Sequence, residues 1–135
     1  MTISQLARRA QVGTETIRFY ERAGLLAQPR KPVAGYRQYG ESHLERVRFV
    51  KQCQAFGFTL AEAKRLLEML DRGEADCETA CELAERKIEE LRKRIREYEA
   101  LAGRLAGLLR QPCRAAGAAP CALMEELRER PRRRA

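Results

Sequence analysis

The stretch TISQLARRAQVGTETIRFYERAGLL, residues 2–26, decides how the chain folds. Thr2 and Gln5 stand at capping-box spacing, so a short helix opens there and runs to about Ala10. Gly13 breaks it, and Thr14 is placed to cap a second helix, Thr14 to Ala23, with Ile17 and Tyr20 on one face. Gly24 ends that helix, since a residue without a side chain suits the left-handed position past a C-terminus. Two short helices joined by a glycine turn can set one helix into a DNA major groove, but an ordinary helical hairpin has the same pattern.

The side chains favour DNA. Thr14, Thr16 and Arg18 lie near the start of the second helix, where hydroxyls and backbone amides meet phosphates and a guanidinium meets phosphate or guanine. Residues 27–40 hold Pro29, Pro32, Gly35 and Gly40 around Val33, Tyr36 and Tyr39, which reads as a turn-rich hairpin or wing, the only β-structure expected. That wing adds Arg30, Lys31, Tyr36, Arg37 and Tyr39 to the basic surface, with Tyr36 or Tyr39 alternatively serving the small core. The whole chain carries 27 Lys and Arg against 19 Asp and Glu, a net +8, which suits a polyanionic partner.

Helical signals continue. A third helix is expected from about Ser42 to Ala55, with Leu44, Val47 and Val50 inward and Phe49 and Cys53 available to the core. Gly57 ends it, and Thr59 with Glu62 forms a second capping box for a helix through Leu70, its apolar side made of Leu60, Ala63, Leu66, Leu67 and Leu70. Residues 1–70 thus form one winged helix-turn-helix domain, and 71–76 a polar hinge. From Cys77 the spacing changes: Cys77, Cys81, Ala84, Ile88, Leu91, Ile95, Tyr98, Ala102, Leu105 and Leu109 alternate steps of four and three, the seam of a coiled coil. At 1.5 Å per residue a helix over 77–110 is on the order of 50 Å long, and its stripe calls for a partner helix, most economically from a second copy. Pro112 stops it, 111–128 holds a loop and a short amphipathic segment with Leu123, Met124 and Leu127, and 129–135 is a basic tail expected to be disordered and solvated.

The 135 residues suffice for one small domain and a helical extension. No apolar run approaches the roughly 20 residues of a membrane helix, and the first residues lack a secretory pattern, so a soluble, cytoplasmic protein with no membrane association is expected. In that reducing compartment the five cysteines point to thiolate chemistry rather than disulfides. Cys77 opens the rod, while Cys113 and Cys121 flank a small loop beyond its far end. Within one chain they cannot meet. An antiparallel dimer would bring Cys77 of one subunit to Cys113 and Cys121 of the other, giving two equivalent sites; a parallel dimer would pair Cys77 with Cys77. The loop has no His, Asp or Glu, so sulfur dominates, and soft ligands select soft or borderline ions. Three thiolates lack the fourth donor of a closed zinc site. Cys81, one turn beyond Cys77, either supplies that donor or packs in the seam, and Cys53 reads as core.

Five segments carry a resemblance: TIRFYER at 16–22, GLL at 24–26, GYRQY at 35–39, RVRFVK at 46–51 and GFTL at 57–60. Together they resemble the MerR family of winged helix-turn-helix regulators, and the following dimer helix extends the likeness over nearly the whole chain. It implies operator contacts at Thr14, Thr16, Arg18, Tyr20, Arg37 and Tyr39. It also implies a homodimer on double-stranded promoter DNA that acts with RNA polymerase, metal binding bending and untwisting a promoter whose two elements are spaced too far apart. The copper branch has a serine where this chain has Cys77, which argues for a divalent ion. The mercury-responsive branch is most similar, through the cysteine triad, Leu83-Ala84-Glu85 and RVRFVK, making Hg(II) the expected effector with Pb, Cd, Zn and Cu as alternatives. The Cys113 to Cys121 spacing of eight is one shorter than in mercury sensors and closer to the copper type. An enzyme is not expected: a carbon–metal cleaving or scavenging protein would have no use for a helix-turn-helix. A redox-sensing regulator would call for paired neighbouring thiols.

Overall fold

The computed structural model describes residues 1–30, 35–73, 77–110 and 121–128. It is mainly α, in the order α1 (Ile3–Ala10), α2 (Thr14–Arg22), α3 (Glu41–Ala55), α4 (Leu60–Asp71), α5 (Cys77–Leu109) and α6 (Ala122–Arg128). Two compact units result, residues 1–88 and 89–135, so the first takes in α1–α4 and the opening turns of α5.

Both capping boxes form. Thr2 Oγ1 accepts from the Gln5 amide at 3.2 Å while Gln5 Oε1 accepts from the Thr2 amide at 2.8 Å. Thr59 and Glu62 do the same at 3.2 and 2.8 Å. Each box satisfies two amides that the first turn of a helix leaves without partners.

The turn between α1 and α2 differs from expectation. Its left-handed residue is Gln11, at φ 58°, whereas Gly13 is extended and itself caps α2, leaving Thr14 inside the helix. The reason lies in how α1 ends: the Val12 amide reaches back to Ala7 O at 3.0 Å and the Gln11 amide to Arg8 O at 3.2 Å, and this closure requires the left-handed conformation two residues before the glycine. Gly24 does take the left-handed role, at φ 78°, with Leu25 N–H on Tyr20 O at 2.9 Å; a Cβ there would stand 3.0 Å from Lys64 Nζ.

The core of the first unit is Leu6, Ala7 and Ala10 of α1, Ile17 and Tyr20 of α2, Leu25 and Leu26 after it, Tyr39, then Leu44, Val47, Val50 and Cys53 of α3 with Ala63 and Leu67 of α4. Phe49 and Leu66 pack at its edge, half-buried. On α4, Leu70 is 59% exposed and Met69 is buried instead, so the apolar side turns away from the expected stripe at the last turn. Among the described residues there is no strand. Residues 36–40 form no regular element, and Tyr39 exchanges backbone hydrogen bonds with Met1, at 2.7 and 2.8 Å, rather than with a hairpin partner. Residues 31–34 of the expected wing, residues 74–76 of the hinge, the 111–120 loop and the 129–135 tail lie outside the described residues.

Along α5, Ile88, Leu91, Ile95, Tyr98, Leu105 and Leu109 of the seam are all exposed in the single chain. Leu83 and Lys87, which are not seam positions, are buried. In the second unit, Arg104 of α5 pairs with Glu126 of α6 at 3.1 Å.

Candidate functional site

Turning α2 against α1 leaves one polar face of α2 in solvent. Ile17 and Tyr20 point inward; Arg18 and Arg22, one turn apart, point outward, and Thr14 and Thr16 are half-exposed on the first turn. The loop returning toward α3 passes beside this face. An open groove of about 700 Å³ is lined by Thr2, Ile3 and Ser4, by Arg18, Glu21 and Arg22, and by Gln28, Tyr36, Arg37 and Tyr39. The fold therefore brings Arg18, Tyr36 and Arg37, expected separately on a helix and a wing, to the same groove. Tyr36 is 80% exposed, and Arg37 is anchored by its Nε on Pro29 O at 3.1 Å. Lys31 lies outside the described residues, and Arg30 is exposed.

Tyr20 and Tyr39 are placed differently from the expected contacts. Each is under 5% exposed, with its ring in the core. The Tyr20 hydroxyl donates to Gln54 Oε1 at 2.6 Å and that of Tyr39 to Glu21 Oε2 at 3.2 Å. Burial pushes the Tyr20 phenol above its ordinary pKa; burial, then the Glu21 charge, does the same for Tyr39. Both stay protonated donors, bracing α2 against α3 and against the loop before α3. A tyrosine next to arginines reads the same in sequence whether its ring faces inward or outward.

Arg22, Ser4 and Gln28 escaped the sequence reading, although the four-residue step from Arg18 to Arg22 was available as a signal. A second basic cluster joins α1 to α3: Lys51 Nζ donates to Ala10 O and Gln11 O, both at 3.1 Å, and Arg48 to Arg9 O at 3.4 Å. These cations sit at the carbonyl end of α1, where its dipole is negative.

Of the cysteines expected to bind metal, the described residues hold some and not others. Cys121 is half-buried immediately before α6, Cys81 is exposed on α5, Cys77 is the first residue of α5, and Cys113 lies outside the described residues. Among the described residues no three His, Cys, Asp or Glu side chains gather as a metal site. Cys53 is buried in the core, and burial pushes its thiol above the usual range.

A short helix, a tight turn and a second helix that shows hydroxyls and arginines beside a basic loop define a helix-turn-helix DNA-binding transcription regulator. The chain belongs to the MerR family: residues 1–70 match the family described as MerR HTH family regulatory protein, and residues 44–108 match the one described as MerR, DNA binding. It is 42% identical over 109 residues to the mercuric resistance operon regulatory protein of Pseudomonas fluorescens, covering 81% of this chain and 74% of that one. Among solved structures it is similar to the transcription regulator PbrR691 from Ralstonia metallidurans CH34 in complex with lead(II), at a TM-score of 0.79 and 34% identity over 94% of this chain and 98% of the other. It is also similar to the dual function regulator MerR from Bacillus megaterium MB1 in complex with mercury(II), at 0.70 and 32% over 96% and 100%. No helix among the described residues is long and apolar enough to cross a membrane.

Proposed function

We propose that this regulator responds to Hg(II), held by Cys77 of one subunit with Cys113 and Cys121 of the other, and switches a resistance promoter from repressed to active by distorting its DNA. One observation carries the reading: α5 is a single helix of 33 residues that starts at a cysteine, exposes an apolar seam along its length, and is followed by two more cysteines. A helix that long keeps its ends on the order of 50 Å apart, so donors near opposite ends meet only through a second, antiparallel copy. The seam that such a copy covers is the one left in solvent.

Three thiolates around a divalent ion carry a net charge near −1 and suit a soft metal. When bound, the ion supplies a cross-link between subunits and no reaction; the protein acts as a switch and not as an enzyme. Its place of work is the cytoplasm, on double-stranded promoter DNA with RNA polymerase. Thr14, Thr16, Arg18, Lys31, Tyr36 and Arg37 contact the operator, and Tyr20 and Tyr39 hold those side chains in place from the core. Metal must favour the activating arrangement of the DNA-binding units over the resting one, because equal affinity shifts nothing.

The likeness to the lead(II)-bound regulator supports Pb(II) as the second reading. Titrating the purified protein with mercury, lead, cadmium, zinc and copper ions, with promoter activation measured for each, decides between them. The reading expects two Hg(II) per dimer at saturation and activation that follows occupancy. Strongest activation by another ion would replace mercury, and activation by none would remove metal sensing.

A further inference from the structure

Lys87 is out of place for a lysine on a charged rod. Its neighbours Arg86, Glu89 and Glu90 are exposed, yet Lys87 is only 4% exposed. Its Nζ lies 2.9 Å from Glu62 Oε1 and 5.8 Å from the centre of the Phe58 ring. That same Glu62 oxygen accepts the Thr59 amide, so the ammonium is bonded to the group that closes the capping box of α4. Leu83, one turn earlier on α5, is buried as well. The opening turns of α5 thus have two occupied directions: Leu83 and Lys87 toward the unit of α1–α4, and the seam at Ala84 and Ile88 roughly 100° further round the helix. One face can hold the DNA-binding unit while the other takes a partner.

A lysine on a solvated surface is a loose tether, but a buried ammonium bound to a carboxylate that is only 21% exposed is not. Separating the two takes from the buried ammonium the carboxylate 2.9 Å away, so moving α5 off the start of α4 carries a cost. We propose that Lys87 is a positioning residue that clamps the opening turns of α5 to the N-terminus of α4, so that a change at Cys77, ten residues earlier, is passed to the DNA-binding unit. The proposal deepens the metal-responsive reading and rests on it.

The test uses the full chain on its operator. Lys87→Met keeps an unbranched apolar stem against Phe58 and removes the charge; Glu62→Gln keeps an oxygen for the Thr59 amide and removes the charge; Lys87→Arg restores the cation. Both neutral variants are expected to bind Hg(II) with wild-type stoichiometry and the operator with near wild-type affinity without metal. Their metal-induced activation should fall about tenfold, within the span of ordinary coupling energies. The double variant should be no worse than either single one, since both remove one contact, and Lys87→Arg should recover part of the response. Wild-type induction in both neutral variants overturns the proposal, as does an equal loss of operator affinity with and without metal, which would mark Lys87 as merely structural.

A measurement without metal separates this from the functional reading. Followed by NMR in metal-free protein, the Glu62 carboxyl should titrate higher in Lys87→Met than in wild type. An unchanged titration overturns the clamp whatever the effector is. A shifted titration in Lys87→Met, together with a wild type that no metal activates, sinks the metal reading, and with it the relay from Cys77.

Discussion

Arg18 and Tyr20 are two residues apart on α2 and have opposite fates. Arg18 is exposed in the groove, so Arg18→Ala should weaken operator binding by about 1–3 kcal/mol at fixed salt, read by fluorescence anisotropy, with unfolding unchanged. Tyr20→Phe removes the bond to Gln54 and should lower stability by about 1 kcal/mol in urea unfolding, with little effect on the operator. A reversal of the two profiles would move the interface to the other face of α2. Cys53 offers a third check: burial holds its thiol protonated, so in metal-free protein it should alkylate well after the exposed Cys81. Equal rates would place Cys53 outside the core. At this scale the sequence told which residue types stand beside the DNA-binding helix but not which way each points. Ile17 was legible as core because it has no polar option; Tyr20 shared its face and Tyr39 had the core as an alternative, yet both were also expected on the operator, because a phenol serves either side.

The helices were the most legible part. Thr2, Thr59, Gly24 and Gly57 mark their ends by local chemistry, and local hydrogen bonds deliver that outcome without help from the rest of the chain. The α1–α2 turn was less so: Gly13 was read as the break and Thr14 as the cap, while the hydrogen bonds that close α1 put Gln11 in the left-handed position and Gly13 at the cap of α2. The seam of α5 was read from its period, but a seven-residue period reports only the stripe facing a partner helix. Leu83 and Lys87 face their own chain and leave no such signature. The Glu62 carboxyl is held below its ordinary range by the hydrogen bond from Lys87, then by the Thr59 amide. With the folded pKa depressed, the unfolded chain binds more protons in acid, so stability rises with pH there. The contribution is present above the unfolded pKa of about 4.3 and is lost as pH falls through the lower folded value. Glu62→Gln should therefore flatten the acid limb of a stability–pH curve, and an unaltered limb would show that the pair contributes nothing.

For the molecule as a whole, the DNA-binding groove lies on the first unit, and the apolar seam that the proposed metal response uses runs along α5. A net charge of +8 makes operator binding strongly dependent on salt, so affinities need comparison at one ionic strength. The class of protein was legible because helix-turn-helix, basic loop and seam are each long, periodic or capped. The proposed metal site was less so, since on this account it belongs to two chains and one chain's sequence holds only halves of it. A heterodimer tests that directly: one chain carries Cys77→Ala, the other Cys113→Ala and Cys121→Ala. The account predicts one Hg(II) per heterodimer by native mass measurement and none bound at comparable affinity by either mutant homodimer, because one end of the pair recovers all three thiolates. A heterodimer that binds no ion would contradict it.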